Sequence, residues 1–122
     1  MQISARYRFS AAMRLDGYVG PCGADHGYEF TLEVVVDLDE SDVVDGSMPL
    51  DFVALDALVE SRIVSRLHRS HLSTTLTNPT LERLAIWIRD QLQAVVPGLH
   101  ELRVSAGDRY SVYLPVQDLS DG

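Results

Sequence analysis

Apolar residues fall at Ile3, Ala5, Tyr7, Phe9 and Ala11, with Ser4, Arg6, Arg8 and Ser10 between them. A period of two predicts a half-buried β-strand. Phe30, Leu32, Val34, Val36 and Leu38 repeat the pattern around Thr31, Glu33, Val35 and Asp37, giving a second long strand. The period then changes. Leu55, Val59, Ile63 and Leu67 recur every fourth residue, which predicts an amphipathic helix from about Phe52 to Leu67. A second helix is predicted with Asn78 as N-cap and Pro79 at its first position, Leu81, Leu84, Ala85, Ile88 and Leu92 on one face, and an end before Pro97-Gly98. Two further strands are read around Leu99 to Ala106 and Arg109 to Leu114, with a turn near Gly107-Asp108. Between the elements, residues 14 to 27 form a loop rich in Gly, Pro and Asp that carries Cys22 and His26, and Asp39 to Pro49 is read as an acidic loop.

The order ββααββ in a chain of 122 residues with 46% hydrophobic residues makes one α+β domain, residues 1–122, with a modest core. A net charge of −8 argues against nucleic acid or an anionic membrane as partner, because both reward basic patches. No apolar run approaches the roughly 18 residues of a membrane span. The alternating N-terminus lacks the apolar h-region of a signal peptide, so a cytoplasmic location is the expectation. One cysteine excludes an intrachain disulfide. All ten basic residues are arginines, which excludes a lysine Schiff base and a lysine general base. Any imine in the chemistry must then come from the substrate.

Several short motifs add to this reading: Phe9-Ser10-Ala11-Ala12-Met13, Cys22-Gly23-Ala24-Asp25-His26-Gly27-Tyr28, Met48-Pro49-Leu50-Asp51-Phe52 and Pro79-Thr80-Leu81-Glu82-Arg83-Leu84-Ala85. Together they resemble the pterin synthases of the tunnelling fold, the group of 6-pyruvoyltetrahydropterin and 6-carboxytetrahydropterin synthases, whose patterns read FSAAH, CxxxHGH, MVVDF and PTxExLA. The resemblance implies a four-stranded antiparallel sheet with both helices on one face, sheets joined side by side into a trimeric barrel, two stacked trimers, and active sites between subunits.

The family's three zinc-binding histidines align with Met13, His26 and Tyr28, so the resemblance implies that the zinc site is lost and that no metal or other cofactor is used. The family's LDHxxLN aligns with Leu67-His68-Arg69-Ser70-His71-Leu72-Ser73, which replaces the Asp-His pair serving the catalytic cysteine with His68 and Arg69. Its pterin-gripping VxE glutamate aligns with Ala106, with Asp108 the nearby carboxylate able to take that role.

Weighed singly, Cys22 is either a buried apolar thiol or a site thiol, and the CxxxHG pattern favours the site. His26 is a structural histidine or a proton carrier. Tyr28 is an aromatic plug or a hydrogen-bonding group, and Met13 makes the former metal pocket apolar and suited to a flat ring. His68 and His71 are read as a solvated helix end, with a rebuilt metal site from His26, His68 and His71 as the sharper alternative. Arg69 is surface charge, or a fork for a substrate carboxylate or phosphate. Glu82 is favourable in a first helical turn and is also a general-base candidate. The catalytic set is therefore Glu82, His26, Cys22 and His68, and the substrate-binding set Met13, Tyr28, Arg69, Asp51, Thr80 and Asp108.

The leading functional expectation is a metal-free cyclase or lyase of specialised biosynthesis, condensing a heteroaromatic amine with an aldehyde or sugar phosphate through a substrate-derived imine, as in a Pictet-Spengler reaction. A non-catalytic paralogue that binds a heteroaromatic ligand or completes an oligomer is the second reading. A pterin synthase with a rebuilt site is the third.

Overall fold

The computed structural model describes residues 1–13, 26–44 and 50–116. Four antiparallel strands stand in sequence order: β1 (Gln2–Met13), β2 (His26–Asp37), β3 (Leu99–Ala106) and β4 (Tyr110–Pro115). β1 and β2 pair along their whole length, from Gln2 opposite Asp37 to Met13 opposite His26. Both strands therefore run further toward the intervening segment than the alternation alone suggests, and His26 and Gly27 belong to strand rather than loop.

The two-residue period sorts the sheet into two faces. One carries Phe9, Phe30, Leu32, Val34, Leu102 and Val104, all buried, and receives the helices. The other carries Arg6, Glu33 and Arg103 side by side across β1, β2 and β3. A bulge interrupts the β2–β3 ladder where Val35 faces Glu101 but Val36 faces Leu99, leaving His100 as the extra residue. Gly98 opens β3 at φ +75, where an added Cβ would stand 2.8 Å from the Asp37 carbonyl oxygen, so this close crossing needs glycine.

Helix α1 (Glu40–Val44) lies within the segment read as an acidic loop, and the correction has a local cause. Asp39 Oδ1 accepts hydrogen bonds from the Ser41 backbone N–H and hydroxyl and starts a single turn too short to show a period. Helix α2 covers residues 52–67 as an α-segment Phe52–Val59, a π-segment Glu60–Val64 and a last α-turn Ser65–Leu67. Its apolar residues recur at a strict four, and each such step overshoots the 3.6-residue α-turn by about 40°. The wider π-turns take up that drift. Leu55, Val59, Ile63 and Leu67 thus stay buried on a single line.

Helix α3 (Leu81–Leu92) starts later than the sequence suggests. Its N-cap is Thr80, whose hydroxyl accepts from Arg83 N–H at 3.1 Å, whereas Asn78 sits at φ +48 outside the helix. The cap position goes to the residue whose oxygen reaches the third N–H of the helix. The C-terminal end also differs: the helix closes at Leu92, and residues 93–96 continue only as turns. α3 lies over β3 and β4 and α2 over β1, both on the apolar face. A hydrogen bond of 2.7 Å from the Tyr7 hydroxyl to Asp56 Oδ1 fastens β1 to α2, and burial with that bond and the Asp56 charge holds the Tyr7 phenol far above its ordinary pKa. Among the described residues no helix is long and apolar enough to cross a membrane.

Candidate functional site

After α2 the chain turns back along the outer edge of β1. Arg69 N–H donates to the Ser10 carbonyl at 2.6 Å, and Ala12 N–H donates to the Ser70 carbonyl at 2.8 Å. Ala12 and His71 form a parallel bridge. This short fifth ribbon closes the side of a cleft of about 470 Å³ lined by Ser10, Ala11, Ala12, Gly27, Tyr28, Arg69, Ser70 and His71.

Ser10 is held from two sides. While its carbonyl receives Arg69 N–H, its own N–H donates to His68 Nδ1 at 3.0 Å. That bond uses the Nδ1 lone pair, so in the neutral ring Nε2 carries the proton and points to a donor role for His68. His71 is fixed similarly, with Nδ1 accepting from Ser73 N–H at 3.2 Å and lying 2.6 Å from the Ser73 hydroxyl. Arg69 adopts φ +60, a left-handed conformation that favours glycine, and its side chain is exposed at the cleft. Tyr28 is half-buried, with its ring 5.8 Å from that of Phe30, which stacks on Phe9 at 5.3 Å. The cleft floor is thus an aromatic row continuous with the core. Met13, at the end of β1 opposite His26, is half-buried and packs against the same core.

The other candidates lie off the cleft in the single chain. Asp51 caps α2, its Oδ1 accepting from Val53 N–H at 2.9 Å and Ala54 N–H at 3.2 Å. Thr80 caps α3. Both side chains therefore have a structural occupation that accounts for their kept motifs. Glu82 is exposed in the first turn of α3, and Asp108 is exposed in the β3–β4 turn. Cys22 and most of its loop lie outside the described residues, as does the side chain of His26.

A polar constellation outside the candidate sets stands at the middle of the sheet. Glu33, only 8% exposed, accepts from Arg6 Nε and from Arg103 Nη1, each at 3.1 Å. Burial raises its pKa, but the hydrogen bonds from Arg6 and Ser4 and the charges of Arg6 and Arg103 outweigh this and hold the carboxyl below the ordinary glutamate value. Arg103 also reaches Glu101 at 3.3 Å and lies over the Tyr113 ring at 5.1 Å. The signal was present in the alternation, which sets Arg6 and Arg8 on the same side of β1 and Glu33 in the middle of β2.

Residues 2–113 match the family model described as 6-pyruvoyl tetrahydropterin synthase. The chain belongs to that family. A dihydroneopterin monophosphate aldolase from Pyrococcus furiosus is 34% identical over 92 residues, covering 73% of this chain and 76% of that protein. Among solved structures, 6-pyruvoyl tetrahydropterin synthase from Caenorhabditis elegans superposes with a TM-score of 0.79 at 18% identity, covering 96% of both chains. An uncharacterized protein from Wolinella succinogenes superposes at 0.66 with 11% identity, over 96% of this chain and 98% of that one. At such identities the likeness is one of fold, and the fold is the tunnelling α+β sandwich of a four-stranded antiparallel sheet and helices.

The family's zinc does not fit the residues found here. Of the aligned positions, Met13 offers a thioether packed on the core and Tyr28 a phenol whose ring is tilted against Phe30, whereas zinc favours imidazole, thiolate and carboxylate. His68 and His71 have committed Nδ1 to neighbouring donors, and among the described residues no three His, Cys, Asp or Glu side chains gather into a metal site.

Proposed function

We propose that this member of the 6-pyruvoyl tetrahydropterin synthase family is a zinc-independent lyase that breaks a carbon–carbon bond within the phosphorylated side chain of a dihydropterin-like heteroaromatic ring. The observation that carries the reading is the cleft at the end of β1 and β2, where an aromatic floor at Tyr28 meets the exposed guanidinium of Arg69. A flat ring suits the floor, and a phosphate ester suits the guanidinium fork. The 34% identical relative bears the name of an aldolase acting on a pterin monophosphate, which supports cleavage of a carbon–carbon bond over the ring-closing condensation of an amine and an aldehyde.

In an aldol cleavage a base takes the proton of a side-chain hydroxyl, and the adjacent carbon–carbon bond breaks to release an aldehyde. Its electron pair passes into the ring, and the carbon left on the ring takes up a proton. The electron sink in this chain is the C=N bond of the dihydropterin ring, since no lysine exists to form a Schiff base and no step is routed through zinc. His26 and Glu82 are the proposed proton carriers, with His68 as a donor through Nε2 and Cys22 as the candidate thiol. Met13 forms the apolar wall. Glu82 lies off the cleft of its own chain, so the reading has it enter the site from a neighbouring subunit, as the family's inter-subunit sites imply; Asp108 would likewise act across an interface.

The test is turnover of dihydroneopterin monophosphate by chelator-treated protein, read as aldehyde release. Loss of a true general base costs about 10²- to 10⁴-fold in rate, so Glu82→Gln and His26→Ala should each fall by that order with the oligomer intact. If the compound binds and is recovered unchanged, the chain is a ligand-binding paralogue instead.

A further inference from the structure

The sheet face that carries no helix holds a second cleft, of about 330 Å³, which shares no lining residue with the first. Two adjacent cross-strand rows build it. One is Arg6, Glu33, Arg103 and Tyr113, in which the carboxylate is shared by two guanidiniums. The next is Arg8, Thr31, Ser105 and Ser111, in which Arg8 stands opposite Thr31, Thr31 opposite Ser105, and Ser105 opposite Ser111.

The charge balance of this cleft runs against that of the molecule. Three arginines and one glutamate line it, in a chain whose formal net charge is −8. Glu33 is occupied by Arg6 and Arg103, and Arg103 is further engaged by Glu101, so neither row supplies a carboxylate for Arg8. Arg8 has no partner among the described residues. Three hydroxyls continue the row across the sheet: Thr31 directly opposite Arg8, then Ser105 and Ser111, which are within 2.9 Å of one another. A guanidinium and rotatable hydroxyls with no carboxylate in their row can turn N–H and O–H donors toward one ligand. Such a site complements a compact anion with several acceptor oxygens.

We propose that the Arg8–Thr31–Ser105–Ser111 row is an anion site for a phosphate group, either free or carried by a small metabolite, distinct from the cleft that holds Arg69. Glu33 acts on it indirectly, by holding Arg6 and Arg103 parallel to the row and by cancelling enough positive charge for the empty site to be stable.

Calorimetric titration of the whole protein with inorganic phosphate and with pyrophosphate tests the assignment. Because the Arg69 cleft is itself proposed to take a phosphate ester, the titrations are made in the Arg69→Ala background, where the expected result is saturable binding at one site per chain, weakening as salt is raised. A charge-assisted hydrogen bond lost from such a site costs about tenfold or more in affinity, so Arg8→Gln should weaken binding by at least that factor. Ser111→Ala should weaken it less, and Arg62→Gln, an exposed change on α2, not at all. Titration with a phosphate monoester such as glycerol phosphate separates the two sources: affinity equal to that of free phosphate assigns the site to the phosphate group alone, and tighter binding assigns it to a phosphorylated metabolite. No saturable binding, or equal losses in Arg8→Gln and Arg62→Gln, would overturn the proposal. So would binding by the parent protein that survives Arg8→Gln and disappears in Arg69→Ala, which would move the anion to the other cleft. Each of these outcomes is separable from the lyase reading, because no turnover is measured.

Discussion

Arg69 combines a conformational penalty with a place at the rim of the cleft. A non-glycine residue in the left-handed region costs about 1–2 kcal/mol, and here the backbone is held there because its N–H must reach the Ser10 carbonyl. Arg69→Gly relieves the penalty and removes the guanidinium. Its melting temperature should therefore equal or exceed that of the parent protein, while the Michaelis constant for a phosphorylated substrate rises by about tenfold or more. A variant that melts lower and binds substrate normally would make Arg69 a structural residue. Glu33 presents the opposite case, a buried carboxylate whose arginine partners are 73% and 40% exposed. Because its folded pKa is lowered, its contribution to stability is complete above the ordinary glutamate range and is lost as the pH falls through the lowered value. Glu33→Gln should cost about 1–3 kcal/mol at neutral pH and flatten the acid limb of a stability-versus-pH curve measured by denaturant unfolding. An unchanged acid limb would show that other carboxylates govern it.

At the scale of elements, most of the architecture was legible because each strand and each long helix repeats its own period over at least three apolar positions. Phe30, Leu32, Val34 and Val36 announce β2 without reference to any other element. What could not be read was local chemistry without a period: the single turn of α1 started by Asp39, the π-turns at 60–64, and the choice of Thr80 over Asn78 as cap. The site was less legible for a different reason. The bond from Ser10 N–H to His68 Nδ1 joins residues 58 apart in sequence, and no local pattern encodes such a meeting. Motifs pointed to candidate positions, and two of these, Asp51 and Thr80, are helix caps. Loss of a cap costs about 0.5–2 kcal/mol. Asp51→Ala and Thr80→Ala should lower the unfolding midpoint by that amount, whereas Asp51→Asn and Thr80→Ser should preserve both stability and turnover. A loss of turnover in the conservative pair at unchanged stability would restore them to the substrate-binding set.

For the whole molecule, the open edges of the sheet set the terms. Among the described residues, β1 is covered only at Ser10–Ala12 by the ribbon after α2, and β4 has no neighbour on its outer side. Exposed ladder groups invite pairing with another copy, and exposed Tyr110 and Tyr113 on β4 add apolar area to such a joint. Light scattering should accordingly give a trimer or hexamer of the 13.5 kDa chain. A stable monomer would leave Glu82 stranded away from the cleft and remove the proposed proton carrier from the reaction. Cleavage without zinc is tested most directly by incubating the chelator-treated protein, its metal content measured on the same sample, with dihydroneopterin monophosphate and following aldehyde release. Full turnover at far less than one zinc per chain is expected. Turnover that vanishes with the chelator and returns in proportion to added zinc would contradict it.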